Sequence, residues 1–441
     1  MKAVVLAAGE GQRLRPLTLT RPKHLIPVMG RPLLEHLLLS IREAGINDVL
    51  IVVHYKAEMI KEYFGDGSKL GIRIEYAYQE AIKGTADAFR VAETYVDGDF
   101  LAVYGDLLLT TNAIKSAINT HARSKPAATL TTLMVEHPEH YGIIRTIGES
   151  VIEIIEKPPR EHAVGNPINA GIYIFSKDIF DAIAQTEPSP RGELEITDSI
   201  QRLIKSGRNV VAARISPEDW LDIGKPWDIL EANYRLLRKI EPKSFGLIEN
   251  GAHIKGPVYI DDGARVRSGA YIEGPVYIGA NSDIGPNCYI RPYTSIGRGV
   301  RIGNACEIKN SVIMDFSHIG HLSYVGDSII GENCNLGAGT ITANLRFDLR
   351  TVKMTIKDEL IDSGRKKLGA VLGDNVKTGV GALLMPGVKV GCNSWIGPNT
   401  IVSKDAPSNV IIFLRERIEQ RSLQHVPSCD QKGNKRDPRN N

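Results

Sequence analysis

The sequence predicts two architectures in one chain, an α/β domain with a mainly parallel sheet flanked by helices, followed by a parallel β-helix. Three observations predict them. Up to about residue 240, short β-branched runs alternate with stretches whose apolar residues recur at helical spacing. From Ile254 the period becomes six, with aliphatic residues at Ile260, Val266, Ile272, Ile278, Ile284, Ile290, Ile296, Ile302 and Ile308. Glycine follows these aliphatics in the later turns, as Gly279, Gly285, Gly297 and Gly303.

In the first half, Val4–Ala8, Val49–Tyr55, Ile72–Tyr78, Phe100–Asp106, Ala128–Glu136, Val151–Glu156, Gly171–Phe175 and Val210–Ile215 read as strands. Leu33–Glu43, Ala57–Phe64, Thr85–Thr94 and Ala113–Arg123 read as helices. Near-continuous apolar strands alternating with helices belong to a sheet covered on both faces, whose ligands sit at the carboxyl ends of the strands. A helix over Asp228–Ile240 closes this domain (residues 1–238), and a linker (239–250) leads to the repeat region (251–408). There each hexapeptide supplies one short strand and one turn, its aliphatic side chain stacked inside a triangular prism. The register slips by one between Ile313 and Leu336 and returns at Leu372, Leu384, Val390, Ile396 and Val402, with Thr378 as a polar member. Residues 346–368, carrying Arg365, Lys366 and Lys367, interrupt the repeat and predict a protruding loop. The last segment (409–441) ends in a polar, basic stretch from Cys429 to Asn441 that predicts a disordered tail.

Composition narrows the function classes. With 54 Lys plus Arg against 51 Asp plus Glu, the charge balance supports neither a nucleic-acid nor a membrane partner. No run of 18 apolar residues predicts a membrane span, and the N-terminal run Lys2–Ala8 is strand-like rather than a secretory signal. The five cysteines (Cys288, Cys306, Cys334, Cys392, Cys429) fit neither a zinc pattern nor a disulfide framework. These features predict a cytoplasmic protein with reduced thiols.

The first strand runs into Leu6-Ala7-Ala8-Gly9-Glu10-Gly11-Gln12-Arg13-Leu14-Arg15-Pro16-Leu17-Thr18. Small residues and two glycines after a strand let backbone N–H groups hold phosphate oxygens. The loop is neither a dinucleotide fingerprint nor a Walker A sequence. Its cationic company, Arg13 and then Arg21-Pro22-Lys23, suits nucleotidyl transfer, in which charge builds on departing pyrophosphate. The motif resembles the signature of sugar-1-phosphate nucleotidyltransferases, whose fold is Rossmann-like. The resemblance continues at Gly84-Thr85-Ala86, Tyr104-Gly105-Asp106, Tyr141-Gly142, Glu156-Lys157-Pro158, Asn169-Ala170-Gly171 and Trp220-Leu221-Asp222. It implies that Arg13 and Lys23 stabilise the triphosphate in the transition state and that Asp106 and Asp222 hold Mg²⁺. It further implies that Leu6, Ala7, Ala8, Gly9, Gln79, Gly84 and Thr85 bind the nucleotide, while Gly142, Glu156, Lys157 and Asn169 hold the sugar phosphate.

The repeat region also carries chemistry that a stalk does not require. It includes His318 and His321, Ile290-Arg291-Pro292, Glu307-Ile308-Lys309, His321-Leu322-Ser323-Tyr324 and Asn335 through Asn344. These patterns resemble the acetyltransferase domain of the bifunctional bacterial and archaeal enzymes that make UDP-N-acetylglucosamine, a left-handed β-helix that assembles as a trimer. The resemblance implies His321 as the general base toward an amine, a task suited to an imidazole near neutral pH. It implies Arg291, Lys309, Tyr324 and Asn335 around an amino-sugar phosphate, and Asn344, Arg350 and Lys353 toward acetyl-CoA. His318 reads as surface decoration. The chain departs from the bacterial pattern at Leu345-Arg346-Phe347-Asp348, which bears on the acetyl-CoA contacts and the acceptor range. The expected substrates are UTP (or dTTP), sugar-1-phosphates and acetyl-CoA, and the expected assembly is a homotrimer or a dimer of trimers. The alternative is a single-activity nucleotidyltransferase with a structural β-helix.

Overall fold

The computed structural model describes residues 1–415 and 417–421. Its first half runs β1 (Lys2–Ala7), β2 (Pro27–Val28), β3 (Arg31–Pro32), α1 (Leu33–Glu43), β4 (Asp48–Val53), α2 (Ala57–Phe64), β5 (Arg73–Tyr78) and α3 (Thr85–Arg90). It continues with β6 (Phe100–Tyr104), β7 (Leu107–Leu109), α4 (Thr111–Ser124), β8 (Ala128–Leu133), β9 (Ile143–Ile147), β10 (Ser150–Ile155), α5 (Arg160–Ala163) and β11 (Ile168–Phe175). The domain closes with α6 (Asp178–Ala184), α7 (Ile196–Lys205), β12 (Val210–Arg214), β13 (Trp220–Asp222) and α8 (Pro226–Leu237).

Nine strands form one sheet in the order β5-β4-β1-β6-β11-β8-β12-β10-β9. β5, β4, β1 and β6 are mutually parallel, and β8 pairs parallel with β12. β11 lies antiparallel between β6 and β8. That reversal has no sequence signature, because a strand buried on both faces reads alike in either direction. Leu34, Leu37, Leu38 and Ile41 of α1 cover one face, and Phe89, Ile179 and Ile200 cover the other. β9, α6 and α7 were not foreseen, although α7 buries Ile196, Ile200 and Leu203 at helical spacing.

The second half is a three-faced parallel β-helix, the arrangement expected of the left-handed class. Its first strand is Lys243–Ser244, close behind α8. Successive coils stack Ile260 on Ile278 and Ile278 on Ile296, so every inward aliphatic meets another one coil away. The slip in the repeat now has a cause. The inward step shortens from six residues to five between Ile308 and Ile313, and again between Val325 and Ile330. The two short corners carry Lys309-Asn310 and Asp327, with positive φ at Asn310 and Asp327.

The interruption at 346–368 does not protrude as expected. Lys353–Ile356 and Glu359–Asp362 form an antiparallel hairpin that folds back. Val352, Met354 and Ile356 alternate and are buried in a cluster with Val312, Met314, Ile329 and Val371 of the β-helix. The charges of this stretch mask a period-two apolar pattern that a core can use. The same cluster contains Leu14, Leu17, Ile26, Val28 and Trp227 of the first domain, so the two halves share a core.

Cys288, Cys306, Cys334 and Cys392 are buried free thiols. Cys429, with the tail expectation for Cys429–Asn441, lies outside the described residues. Among the described residues no helix is long and apolar enough to cross a membrane.

Candidate active sites

The loop after β1, the turn after β6 and strand β13 meet at the carboxyl end of the sheet. β13 pairs antiparallel with β7, placing Asp222 opposite Leu107, and Ile223 N–H donates to the Asp106 carbonyl at 3.1 Å. Two carboxylates far apart in sequence are thereby set in the wall of one cavity of about 370 Å³. Leu6, Ala8, Gly9, Arg13, Lys23, Gln79, Gly84, Thr85, Asp106, Gly142, Glu156, Lys157, Asn169 and Asp222 all line it. Ala7 does not. Its methyl group is turned into the sheet core.

The cations have definite seats. Lys23 Nζ donates to Asp106 Oδ2, and its stem lies against Gly9 and Gly11, where a Cβ on Gly11 would come within 3.0 Å of Lys23 Cβ. Burial alone would raise the Asp106 carboxyl, but the Lys23 ammonium outweighs it and holds the group below its ordinary value. Asp222 lacks such a partner, and burial followed by the Asp106 charge pushes it up to about 6. Asp228 beneath it is pushed up to about 7 by burial and by Asp222, although it accepts the Gly224 and Lys225 N–H groups. The Arg13 guanidinium lies over Gly224, where a Cβ would come within 3.0 Å of its nitrogen. Two carboxylates that repel in a buried place are the donor chemistry of a hard divalent cation. His24 is fully buried behind Lys23 and pushed down to about 3 by burial and the Lys23 charge, so it is neutral.

The far end of the cavity suits a sugar. Asn169 donates to the Tyr173 hydroxyl at 2.7 Å, which faces the Tyr104 hydroxyl at 3.2 Å. A Cβ on Gly142 would meet Glu156 Oε2 at 2.9 Å, so the glycine makes room for that carboxylate. Sequence reasoning missed Arg191, Glu193 and Glu195 in this wall. Arg191 pairs with Glu195 at 2.6 Å and with Glu156 at 3.3 Å. The charged run Arg191-Gly192-Glu193-Leu194-Glu195, directly before an amphipathic helix, was the signal available.

Of the predicted β-helix residues, Arg291, Lys309, Tyr324 and Asn344 gather around the two short corners. Arg291, Lys309 and Asn310 line a second cavity of about 440 Å³, together with Arg365 of the inserted hairpin region and Glu231 and Tyr234 of α8. Asp327, 3% exposed and unforeseen, accepts from Lys309 at 2.9 Å, from Asn310 at 2.6 Å and from Asn344. Asn344 also donates to the Tyr324 hydroxyl at 3.1 Å. Arg291 pairs with Glu307 at 2.7 Å. His321 is exposed at the end of its strand, and its imidazole has no hydrogen-bond partner among the described residues. Asn335 lies on the neighbouring face, in register with His318 and away from Tyr324. Arg350 and Lys353 are exposed on the inserted segment.

A family profile described as nucleotidyl transferase matches residues 2–239. The chain belongs to the nucleotidyl transferase family. Within that family its similarity to bifunctional proteins is nearly full-length. It is 44% identical to the bifunctional protein GlmU of Methanocaldococcus jannaschii, over 96% of this chain and 100% of that protein. It is 47% identical to the bifunctional protein GlmU of Methanococcus maripaludis strain C7, over 95% and 98%. A third relative, the bifunctional sugar-1-phosphate nucleotidylyltransferase/acetyltransferase of Sulfurisphaera tokodaii, is 43% identical over 92% of this chain and 98% of that one. A second profile, described as the GMPPB C-terminal domain, matches residues 272–385. A solved structure from Bacillus anthracis, described as a glucose-1-phosphate thymidylyltransferase, covers 55% of this chain and 98% of its own at 29% identity and TM-score 0.50. This nucleotidyltransferase is therefore built like the bifunctional members, with a second candidate site on its β-helix.

Proposed function

We propose that the chain carries out two consecutive steps of UDP-N-acetylglucosamine synthesis. The β-helix transfers the acetyl group of acetyl-CoA to the amine of glucosamine-1-phosphate. The amine nitrogen attacks the thioester carbonyl, His321 takes the amine proton and returns it to the departing sulfur as the C–S bond breaks, and coenzyme A leaves as its thiol. The α/β domain then joins the product to UTP. A phosphate oxygen of N-acetylglucosamine-1-phosphate attacks the α-phosphorus in line, the α–β phosphoanhydride bond breaks, and pyrophosphate leaves.

In that second step Arg13 and Lys23 face the charge building on the pyrophosphate, where fixed cations count for most. Gln79, whose amide donates to Asp87 at 2.9 Å, and Gly84 border the base, while Glu156, Lys157 and Asn169 orient the sugar phosphate. Asp106 and Asp222 would hold Mg²⁺, which supplies charge neutralisation for the phosphates when bound. In the first step Arg291 and Lys309 supply positive charge for the sugar phosphate, and Tyr324 hydrogen-bonds a hydroxyl. Asn344, held by Asp327 and Tyr324, borders the acetyl-CoA side with Arg350 and Lys353. The buried reduced thiols fit a cytoplasmic enzyme. Exposed apolar residues on the last coils, Trp395 stacked on Ile411 and, on the neighbouring face, Ile401, support assembly through the β-helix as a trimer or a dimer of trimers.

One observation carries the double assignment. Residues 291, 309, 324, 327 and 344, from four different coils, converge on the shortened corners, away from the first cavity. A thiol-release assay with acetyl-CoA and glucosamine-1-phosphate tests it. Turnover in the wild type, its loss in His321→Ala and unchanged pyrophosphate release from UTP are the expected results. The match of residues 272–385 to the GMPPB C-terminal domain favours a second reading, a single-activity nucleotidyltransferase (UTP or dTTP with glucose-1-phosphate, or GTP with mannose-1-phosphate) on a structural β-helix. Absence of thiol release from folded wild type, with galactosamine-1-phosphate also offered, would establish that second reading.

A further inference from the structure

Arg21 belongs to the cationic run Arg21-Pro22-Lys23 that the sequence places beside the phosphate loop, yet it lines no part of the nucleotide cavity. It is 6% exposed, and its two terminal nitrogens are taken by carboxylates of the β-helix, Nη1 by Glu332 and Nη2 by Asp374. Asp374 is itself 5% exposed and accepts from the Thr20 hydroxyl at 2.6 Å through the same oxygen. Its other oxygen accepts the Glu332 N–H at 2.8 Å, so the two acids are locked together across two successive coils of the β-helix. Neighbouring contacts point the same way. The Cys392 thiol donates to the Pro16 carbonyl, and Gly30 presses so closely on Tyr277 that a Cβ would lie 2.3 Å from its hydroxyl oxygen. Pro16, Thr20, Arg21 and Gly30 thus all touch the β-helix.

Lys23 stands two residues from this anchor. Pro22 between them has φ −68° and ψ 150°, a φ its ring enforces, and Lys23 opens a short 3₁₀ turn closed by the Ile26 N–H at 3.1 Å. Little torsional freedom separates the Arg21 guanidinium from the Lys23 ammonium that meets Asp106. We propose that Asp374 and Glu332 of the β-helix are positioning residues for nucleotidyl transfer. By fixing Arg21 they aim Lys23 at the departing pyrophosphate, so the β-helix is a working part of the first site as well as the seat of the second. The inference rests on nucleotidyl transfer in the α/β cavity. If that assignment fails, the wild type itself releases no pyrophosphate, whereas failure of the inference appears only in variants.

The full-length chain tests it. Asp374→Asn keeps the acceptor for the Glu332 N–H and removes the charge, and Arg21→Met with Asp374→Asn removes both partners so that no buried charge is stranded. Steady-state pyrophosphate release with UTP and N-acetylglucosamine-1-phosphate is read beside thermal melting. An interaction felt as charge develops on the leaving group lowers kcat rather than raising KM. The expected result is a fall of at least tenfold in kcat for both variants, a KM for UTP within threefold, and a melting transition within a few degrees of wild type. Arg21→Lys, which keeps a cation for Asp374, loses less kcat than the double variant. Three results overturn the proposal: kcat within twofold of wild type in both variants, a loss confined to KM, or a loss of activity that tracks a collapsed melting transition.

Discussion

Gly84→Ala is the sharpest test of how the nucleotide wall is built. Gly84 sits at φ 121° and ψ 177°, a region essentially closed to other residues, at a cost of about 1–3 kcal/mol for alanine. A Cβ there would lie 2.4 Å from the Leu194 carbonyl oxygen and 2.6 Å from its nitrogen, both backbone atoms that cannot rotate away. The loop must therefore lift off Leu194, giving up the Ala86 N–H bond to the Leu194 carbonyl (2.9 Å) and the Leu194 N–H bond to the Lys83 carbonyl (2.7 Å). Two such bonds add about 1–3 kcal/mol, for a total on the order of 2–6 kcal/mol. If the domain absorbs it, 3 kcal/mol lowers the melting temperature by about 6–12 °C. If the loop yields instead, carrying Gln79 and Thr85 with it, the same energy appears as a loss of about a hundredfold in UTP affinity. Calorimetry with and without UTP, together with titration of UTP into the variant, reads both. Melting within 2 °C and UTP affinity within twofold of wild type would show that Leu194 does not confine this loop.

Three other perturbations probe the remaining chemistry. Asp222, pushed up to about 6, has a higher pKa folded than unfolded, so the folded state holds the proton longer and stability falls as pH rises from about 4 to about 6. In metal-free buffer Asp222→Asn is expected to stabilise the fold at pH 8 by about 1–3 kcal/mol, read as a higher melting temperature, and to leave it unchanged below pH 4, and with Mg²⁺ supplied the variant is expected to release no pyrophosphate; a lower melting temperature at pH 8 would contradict the buried repulsion with Asp106. Asp327→Ala releases Lys309, Asn310 and Asn344 together, and losing that acceptor costs about 1–3 kcal/mol. Thiol-release kinetics should show a KM for glucosamine-1-phosphate raised at least tenfold while pyrophosphate release stays within twofold. Met354→Ala empties a fully buried place in the shared core and should cost about 2–5 kcal/mol in denaturant unfolding, whereas a hairpin that merely protruded would lose almost nothing.

Much of this protein is legible in its sequence because the relevant signals are local. The six-residue period reports the prism directly, since each coil repeats the same inward position, and even the slip at Ile313 marks a real shortening. The loop Leu6–Thr18 is readable because a phosphate cradle needs small residues at fixed offsets from a strand end. α1 and α2 begin and end where their apolar spacing predicts. What the sequence alone could not decide is which distant groups share a charge environment. Arg21 and Lys23, two residues apart, look like one basic cluster, yet the fold turns one into the β-helix and the other toward Asp106. Asp327 and Arg191 carry no motif, and each acquires its role only when a corner or a helix brings its partners within hydrogen-bond reach. The inserted hairpin looked solvated because its charges outnumber its apolar residues, and only tertiary packing shows that Val352, Met354 and Ile356 join the two halves in one core. Periodicity and loop chemistry follow from neighbours along the chain. Ion pairing, burial and the contact between the two halves depend on distances through space, which only the folded chain sets.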